Sequence, residues 1–308
     1  METKENISLW LMSLQDTICR SLEEADGKSV FKEDRWKREE GGGGRSRIIT
    51  EGAVIEKGGV NYSAVHGPVP AFLLREAGHS PNNSLSDKDT FYATGVSIVI
   101  HPQNPMVPII HMNVRYFEMS NGVKWLGGGI DLTPHYVQDE DAAFFHTSLK
   151  AVCDKHHPDY YPKFKKWADD YFFIPHRKET RGIGGIFFDR LASSPEMSFE
   201  KNLDFWKDVG NTFAPTYVQL LAKNKDLDFS ENEKQWQLLR RGRYVEFNLV
   251  YDKGTRFGLE TNGRIESILM SLPKTASWLY DYSPLPGSAE ARTLAKLVKE
   301  KDWLSCSS

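Results

Sequence analysis

No stretch of this chain approaches the roughly 18 consecutive apolar residues that a membrane-spanning helix requires. The N-terminus, Met-Glu-Thr-Lys-Glu-Asn, is polar and lacks the apolar core of a secretory signal. Cysteine is scarce. Cys19, Cys153 and Cys306 are odd in number and far apart, which gives neither a disulfide framework nor a CxxC-type zinc spacing. A reducing compartment, the cytoplasm, is the expected home. An excess of one charge is missing too. The net charge is −3, and the only tight basic cluster, Arg240-Arg-Gly-Arg243, runs straight into alternating apolar residues. Both facts argue against a nucleic-acid surface. Internal repeats and long linkers are also lacking.

What is present is 308 residues with 40% hydrophobic, 26% charged and 12% aromatic content, enough for a large core. Ile7, Trp10, Leu11, Leu14, Ile18 and Leu22 recur at helical spacing, with Gly27 as a stop. Gly41 to Gly44 read as a mobile loop. Residues 48–65 read as short strands broken by Gly52 and Gly58-Gly59, and 78–88 as a polar loop. Strand patterns follow at 93–101, 109–119 and 123–126. Helical patterns span 138–173 and 199–223. Residues 244–251 read as a strand turning at Asp252-Lys-Gly254 into 256–260, then helices over 265–272 and 289–301. Strands joined by short turns, with helices in separate blocks, imply α+β rather than βαβ. The expected architecture is one domain over 1–308, a large antiparallel sheet with helices packed on it. Residues 1–30 would be an N-terminal helical region and 304–308 a disordered tail.

Alternation gives the sharpest local inference. Within Ile109 to Phe117 one face carries Ile110, Met112, Val114 and Tyr116, while the other carries His111, Asn113 and Arg115. An imidazole, an amide and a guanidinium thus project together at steps of roughly 6–7 Å. Ser97 and His101 fall on one side of the preceding strand, and a hairpin through Pro102 to Pro108 would join the two polar faces. A sheet with one wet face gives the same alternation. The mixture of groups between aromatics, however, suits an anionic organic ligand better than water. Trp125-Leu-Gly-Gly-Gly-Ile-Asp131 then lets backbone pass close to something bulky and places Asp131 just past a strand end. It reads equally as a glycine turn with Asp131 capping the next segment.

Other constellations are weaker. His101, His111, His146 and His176 could form a four-histidine metal site, but no pair has HxH or HxxxH spacing, and structural histidines explain the pattern more simply. Arg181-Gly-Ile-Gly-Gly185 resembles a piece of a dinucleotide loop but leads into an aromatic run instead of opening a helix, so a Rossmann site is rejected. Asn262-Gly-Arg264 precedes a helix and could hold a carboxylate, or be a turn with a solvated arginine.

Taken together, these segments resemble the oxygen-dependent coproporphyrinogen III oxidases, over residues 31 to 303. The resemblance rests on Glu40-Gly-Gly-Gly-Gly44, Gly95-Val-Ser-Ile-Val-Ile-His-Pro102, His111-Met-Asn-Val-Arg-Tyr-Phe117 and Gly127-Gly-Gly-Ile-Asp-Leu-Thr-Pro134. It continues through Tyr161-Pro-Lys-Phe-Lys-Lys-Trp167, His176-Arg, Arg181-Gly-Ile-Gly-Gly185, Arg241-Gly-Arg-Tyr-Val-Glu-Phe-Asn248 and Glu266-Ser-Ile-Leu-Met-Ser-Leu-Pro273. Asp189-Arg190 departs from it, since the family usually carries two acids there. The resemblance implies a homodimer with a flat sheet between helical layers, its contacts drawn from Val54–Ser63 and Tyr244–Tyr280. It implies decarboxylation of two propionates of coproporphyrinogen III to vinyls, consuming O2 and needing no organic cofactor. Ser97, Asn113, Arg115 and Asn262, Gly263 and Arg264 would bind substrate. His111 would be the proton donor, and Asp131 the acid at the pyrrole nitrogens. In bacterial members of the family His101, His111, His146 and His176 are assigned to a divalent metal, whereas other members work without one. The competing readings are a metal-dependent oxidase using those histidines and a non-catalytic porphyrin-binding protein.

Overall fold

The structure, a computed structural model, describes residues 2–69, 89–260 and 263–306. The polar loop at 78–88 and Asn262 lie outside the described residues.

Helix α1 (Lys4–Asp26) starts where the Thr3 hydroxyl accepts from the Asn6 N–H, and ends at Gly27, whose φ of 70° closes the last turn. Seven strands then form one antiparallel sheet in the order β1 (Lys32–Lys37), β2 (Gly42–Thr50), β3 (Ile55–Pro68), β4 (Thr90–Pro102), β5 (Ile109–Met119), β6 (Lys124–Thr133) and β9 (Gly184–Leu191). Every neighbouring pair is antiparallel, and a separate ribbon joins β7 (Phe173–Ile174) to β8 (Glu179–Thr180).

The sheet is covered on both faces. On one, Val96, Ile98, Ile100, Ile110, Met112 and Val114 meet α1 together with α2 (Asp139–His156), α3 (Tyr160–Tyr171) and α4 (Phe199–Asn224) in a single continuous apolar core. On the other, Val99 and Ile109 pack on Tyr244 of α5 (Glu231–Val250), and Met270, which follows the short α7 (Ile265–Leu269), sits over Gly59. Helices α6 (Lys253–Glu260) and α8 (Ala289–Lys296) complete the set. The expected α+β single domain is what the chain builds.

Four local expectations change. Residues 244–251 are the end of helix α5, not a strand, and 256–260 belong to α6. Val245, Phe247 and Leu249 alternate with polar residues, but burial follows Tyr244, Phe247 and Asn248, while Leu249 and Val250 face outward. The deciding signal is a capping box. The Ser230 hydroxyl accepts from the Glu233 N–H, and the Glu233 carboxylate accepts from the Ser230 N–H. Second, Gly42 to Gly44 are paired strand residues. Trp36 of β1 lies so close over Gly44 that a Cβ there would come within 2.4 Å of its ring. Third, β3 runs through Gly58-Gly59 unbroken. Fourth, Leu304–Cys306 form a 3-10 turn behind buried Trp303, where a disordered tail was expected.

Candidate active site

The site lies on the sheet face opposite the main core. Antiparallel register stacks its side chains in rows. One row runs Val99, His111, Asp131, Gly185; the next runs Asn61, Ser97, Asn113, Gly129, Phe187; the third runs Ser63, Gly95, Arg115, Gly127. From His111 to Arg115 is roughly 13 Å along the strand. Asp131 is a strand residue inside β6, not one beyond a strand end. Of the glycine run ahead of it, Gly127 and Gly129 fall on this face, where their missing side chains leave room for Arg115, Asp189 and Phe187 to cross, while Gly128 faces Phe188 in the main core.

Asp131 is 1% exposed and its carboxylate is fully engaged. His111 Nδ1 lies 2.8 Å from Oδ1, and the Arg181 guanidinium donates to both oxygens at 2.8 Å. Burial alone would push the Asp131 carboxyl up. The Arg181 charge and the His111 hydrogen bond outweigh it and hold the group below the usual carboxylate range. Arg181, 2% exposed, donates to Asn248 Oδ1 at 2.9 Å and packs among Phe172, Tyr244 and Phe247 with ring centroids 4.5–4.6 Å away. An anionic Asp131 fixes the proton of His111 on Nδ1 and leaves Nε2 as the reactive position. The His111 side chain is 19% exposed, so the imidazole, not the carboxylate behind it, is the group open to a ligand.

In the middle row Ser97 stands opposite Asn113, both half-buried. Asn113 Oδ1 has no hydrogen-bond partner among the described residues. In the third row Arg115 donates to Asp189 of β9 at 2.8 Å, both side chains partly open at 41% and 34%. Aromatic rings flank the face. Phe117 and Trp125 stack at 4.3 Å beyond Arg115, and Tyr171 stacks on Phe187 at 4.1 Å beside Gly129. Arg264 stands across the sheet, tied to Asp34 of β1 and to Ser267. Gly263 adjoins it, and its N–H bonds back to Gly258 O at 2.8 Å.

His111, Ser97, Asn113, Arg115 and Asp131 are thus brought onto one surface, while Arg264 faces it from several strands away. The four histidines are not gathered. His146 is buried in α2 with Nε2 donating to Ile183 O and Nδ1 accepting from the Tyr161 hydroxyl, each at 3.0 Å. His101 Nε2 donates to Ser271 O at 2.8 Å. His176 is bound to Tyr251 and Glu246. Among the described residues no three His, Cys, Asp or Glu side chains stand close enough to hold a metal ion. These residues, each held by its own separate partners, do not fit the four-histidine centre. Two residues of the site carried no role in the sequence reading, Arg181 and Asp189. Their partners lie 50 and 74 positions away, beyond any local pattern.

Burial holds His101 down at about 3 and His146 at about 4. Folded, they stay neutral at pH 5, whereas the unfolded chain binds a proton at each below about 6.5. Stability is therefore full above that pH and declines as pH falls toward 4, by about 1.4 kcal/mol per unit for each histidine. Urea unfolding at pH 7, 6 and 5 checks this. His146→Gln should remove one histidine's share of the slope, cost about 1–3 kcal/mol and leave kcat within about twofold. Lost metal and lost activity at unchanged Tm would instead make His146 a ligand.

Comparison with known proteins decides the family. Residues 6–303 match the family model described as coproporphyrinogen III oxidase. The chain belongs to the coproporphyrinogen III oxidase family. It is 50% identical over 298 residues to the oxygen-dependent coproporphyrinogen-III oxidase, chloroplastic, of Glycine max, covering 94% of this chain and 77% of that protein. The family match spans every row of the site, including Arg181 and Asp189.

Proposed function

We propose that this protein catalyses the O2-dependent oxidative decarboxylation of two propionates of coproporphyrinogen III to vinyls, giving protoporphyrinogen IX. The observation that carries the reading is the row arrangement on one face, an imidazole backed by a buried carboxylate, an amide oxygen without a donor and a guanidinium, beside a glycine floor. A ring of four pyrroles joined by saturated carbons can rest on this face. Its N–H groups are the donors that Asn113 Oδ1 lacks, and Ser97 beside it offers a hydroxyl. Its carboxylates call for cations, and a charge-assisted bond to Arg115 contributes about 1.5–3 kcal/mol. Asn262, Gly263 and Arg264 are assigned to a second carboxylate on the far side of the cleft.

The reduced macrocycle is electron-rich and reacts with O2 itself, so the chain's task is to orient it and manage protons. Each decarboxylation releases CO2 and a hydride equivalent, which O2 takes up together with one proton to leave as H2O2. A carboxylate is too weak a base to ionise a pyrrole outright, so proton removal is coupled to oxygen attack on the ring. His111 Nε2 is the group placed to exchange that proton, while Asp131 orients the imidazole and stabilises its charged form. Asp131 thus acts through His111.

Two further readings belong here. The homodimer is supported by the exposed apolar residues Leu249, Val250, Leu259, Ile265, Trp278, Leu279 and Tyr280, all within the 244–280 stretch. The 54–63 stretch gives less support, because β3 is paired on both edges and Val54, Ile55 and Val60 are buried in the protomer. Sedimentation of Trp278→Asp against the parent chain tests the dimer, with a shift to monomer expected. As to compartment, no described helix is long and apolar enough to cross a membrane, and burial pushes the Cys19 and Cys153 thiols up to about 12, making both inert. Cytoplasm is our assignment, against the plastid named for the Glycine max relative. Cell fractionation distinguishes the two.

Incubation of metal-stripped protein with coproporphyrinogen III tests the activity. Vinyl product and CO2 are expected in air and neither under anaerobiosis. Ring binding without CO2 in air would make this a binding protein, and activity restored only by added metal would favour the metal-dependent oxidase.

A further inference from the structure

Strand β9 falls out of step with β6 at one place. Between the pairs Gly128–Phe188 and Leu126–Leu191, the single Gly127 is faced by two residues, Asp189 and Arg190. Such an extra residue kinks a strand and re-aims the side chains beside it. Arg190 pays a conformational cost there. Its φ of 51° lies in the left-handed region, which disfavours a residue with a side chain, and strain of this kind concentrates at functional positions. Its guanidinium lies 5.9 Å from the centre of the Trp125 ring at the rim of the cleft.

The register up to the bulge sets Asp189 beside Gly127, across from Arg115, and its Oδ1 lies 2.8 Å from the guanidinium. Gly127 lies beneath this bridge. A Cβ at that position would come within 2.6 Å of Arg115 Nε and 2.8 Å of Asp189 Oδ1, so only glycine lets the pair close. The cleft therefore has two acids in contrasting states. Asp131 is shut away with both oxygens on a buried arginine. Asp189 is one-third exposed and bound to a guanidinium that is itself partly open to water. A pair so exposed is held only weakly, and its acid occupies the guanidinium that a substrate carboxylate would need.

We propose that Asp189 is a displaceable stand-in for the substrate's carboxylate. In the free enzyme it keeps Arg115 extended over the floor, and it yields that guanidinium to a propionate when the macrocycle enters. The inference rests on the reading of Arg115 as a substrate grip. Its consequence is selectivity. A carboxylate can replace Asp189 like for like, because Arg115 then keeps an anionic partner, whereas an esterified ring offers the guanidinium no charge.

Asp189→Asn, Arg115→Gln and the double variant test it, with Asp189→Ser as a second removal of the charge should the asparagine variant fail to fold. Removing the competing charge is expected to lower KM for coproporphyrinogen III by about three- to tenfold at a kcat within about twofold. The gain should vanish in the Arg115→Gln background. Coproporphyrinogen tetramethyl ester brings no anion to Arg115, so its binding should improve with Asp189→Asn by less than that of the acid. An unchanged or raised KM in Asp189→Asn at unchanged Tm, with KM raised in Arg115→Gln, overturns the stand-in role and leaves the substrate grip standing. An unchanged KM in Arg115→Gln removes the grip itself, and the stand-in with it.

Discussion

Replacing Asp131 by asparagine is expected to lower kcat/KM by about 10²–10⁴, the range by which a positioned acid–base group accelerates a reaction. The asparagine keeps the shape of the side chain but not its charge. Its amide can no longer stabilise an imidazolium, and it can present an N–H where His111 needs an acceptor, favouring the wrong tautomer. The loss should fall mainly on kcat, because the 1%-exposed carboxylate does not itself line the cleft. The substitution also leaves the buried Arg181 without its anion, so part of the effect could come from a weakened fold. Steady-state kinetics beside a thermal melt separates the two. Near-full turnover with unchanged structure would remove Asp131 from the mechanism.

Arg181→Met is the second large effect. Methionine roughly fills the space among Phe172, Tyr244 and Phe247 but leaves the Asp131 carboxylate buried with only His111 beside it. Breaking a buried pair on one side costs about 3–5 kcal/mol, a fall in Tm of roughly 6–20 °C for a chain of this size. Burial, no longer opposed by the guanidinium, then raises the Asp131 carboxyl. The acid limb of the kcat profile should therefore move to higher pH. The double variant Asp131→Asn with Arg181→Met should recover much of the Tm, since neither charge is then orphaned, while activity stays low. An Arg181→Met protein with parental Tm and pH profile would mean that the ion pair neither supports the fold nor tunes the site.

The site was legible where its geometry is local. A period of two places His111, Asn113 and Arg115 on one face whatever the strand pairs with, and the same period puts Ser97 on the adjoining strand. Asp131 was legible as a candidate but misplaced, because glycines that read as a turn are strand residues making room on the floor. Arg181 and Asp189 were not legible, since their roles come from pairings that exist only once β9 lies beside β6. The strand read into 244–251 failed for a related reason. Three alternating apolar residues outweighed a capping box fourteen residues upstream, yet the box begins the helix that buries Tyr244 and Phe247. The four histidines illustrate the reverse limit. A shared residue type says nothing of shared space, and two of these imidazoles are buried with backbone carbonyls as their partners.

The row arrangement also bears on how activity appears during folding. Each row draws its groups from β4, β5, β6 and β9 at once, so a slip of one residue between β5 and β6 would turn His111 away from Asp131 and drive Arg115 toward the apolar core. No partly zipped sheet can hold a working subset of these groups. In a refolding experiment, turnover should therefore emerge no earlier than the last strand to dock, which makes catalysis itself a stringent reporter of correct strand alignment.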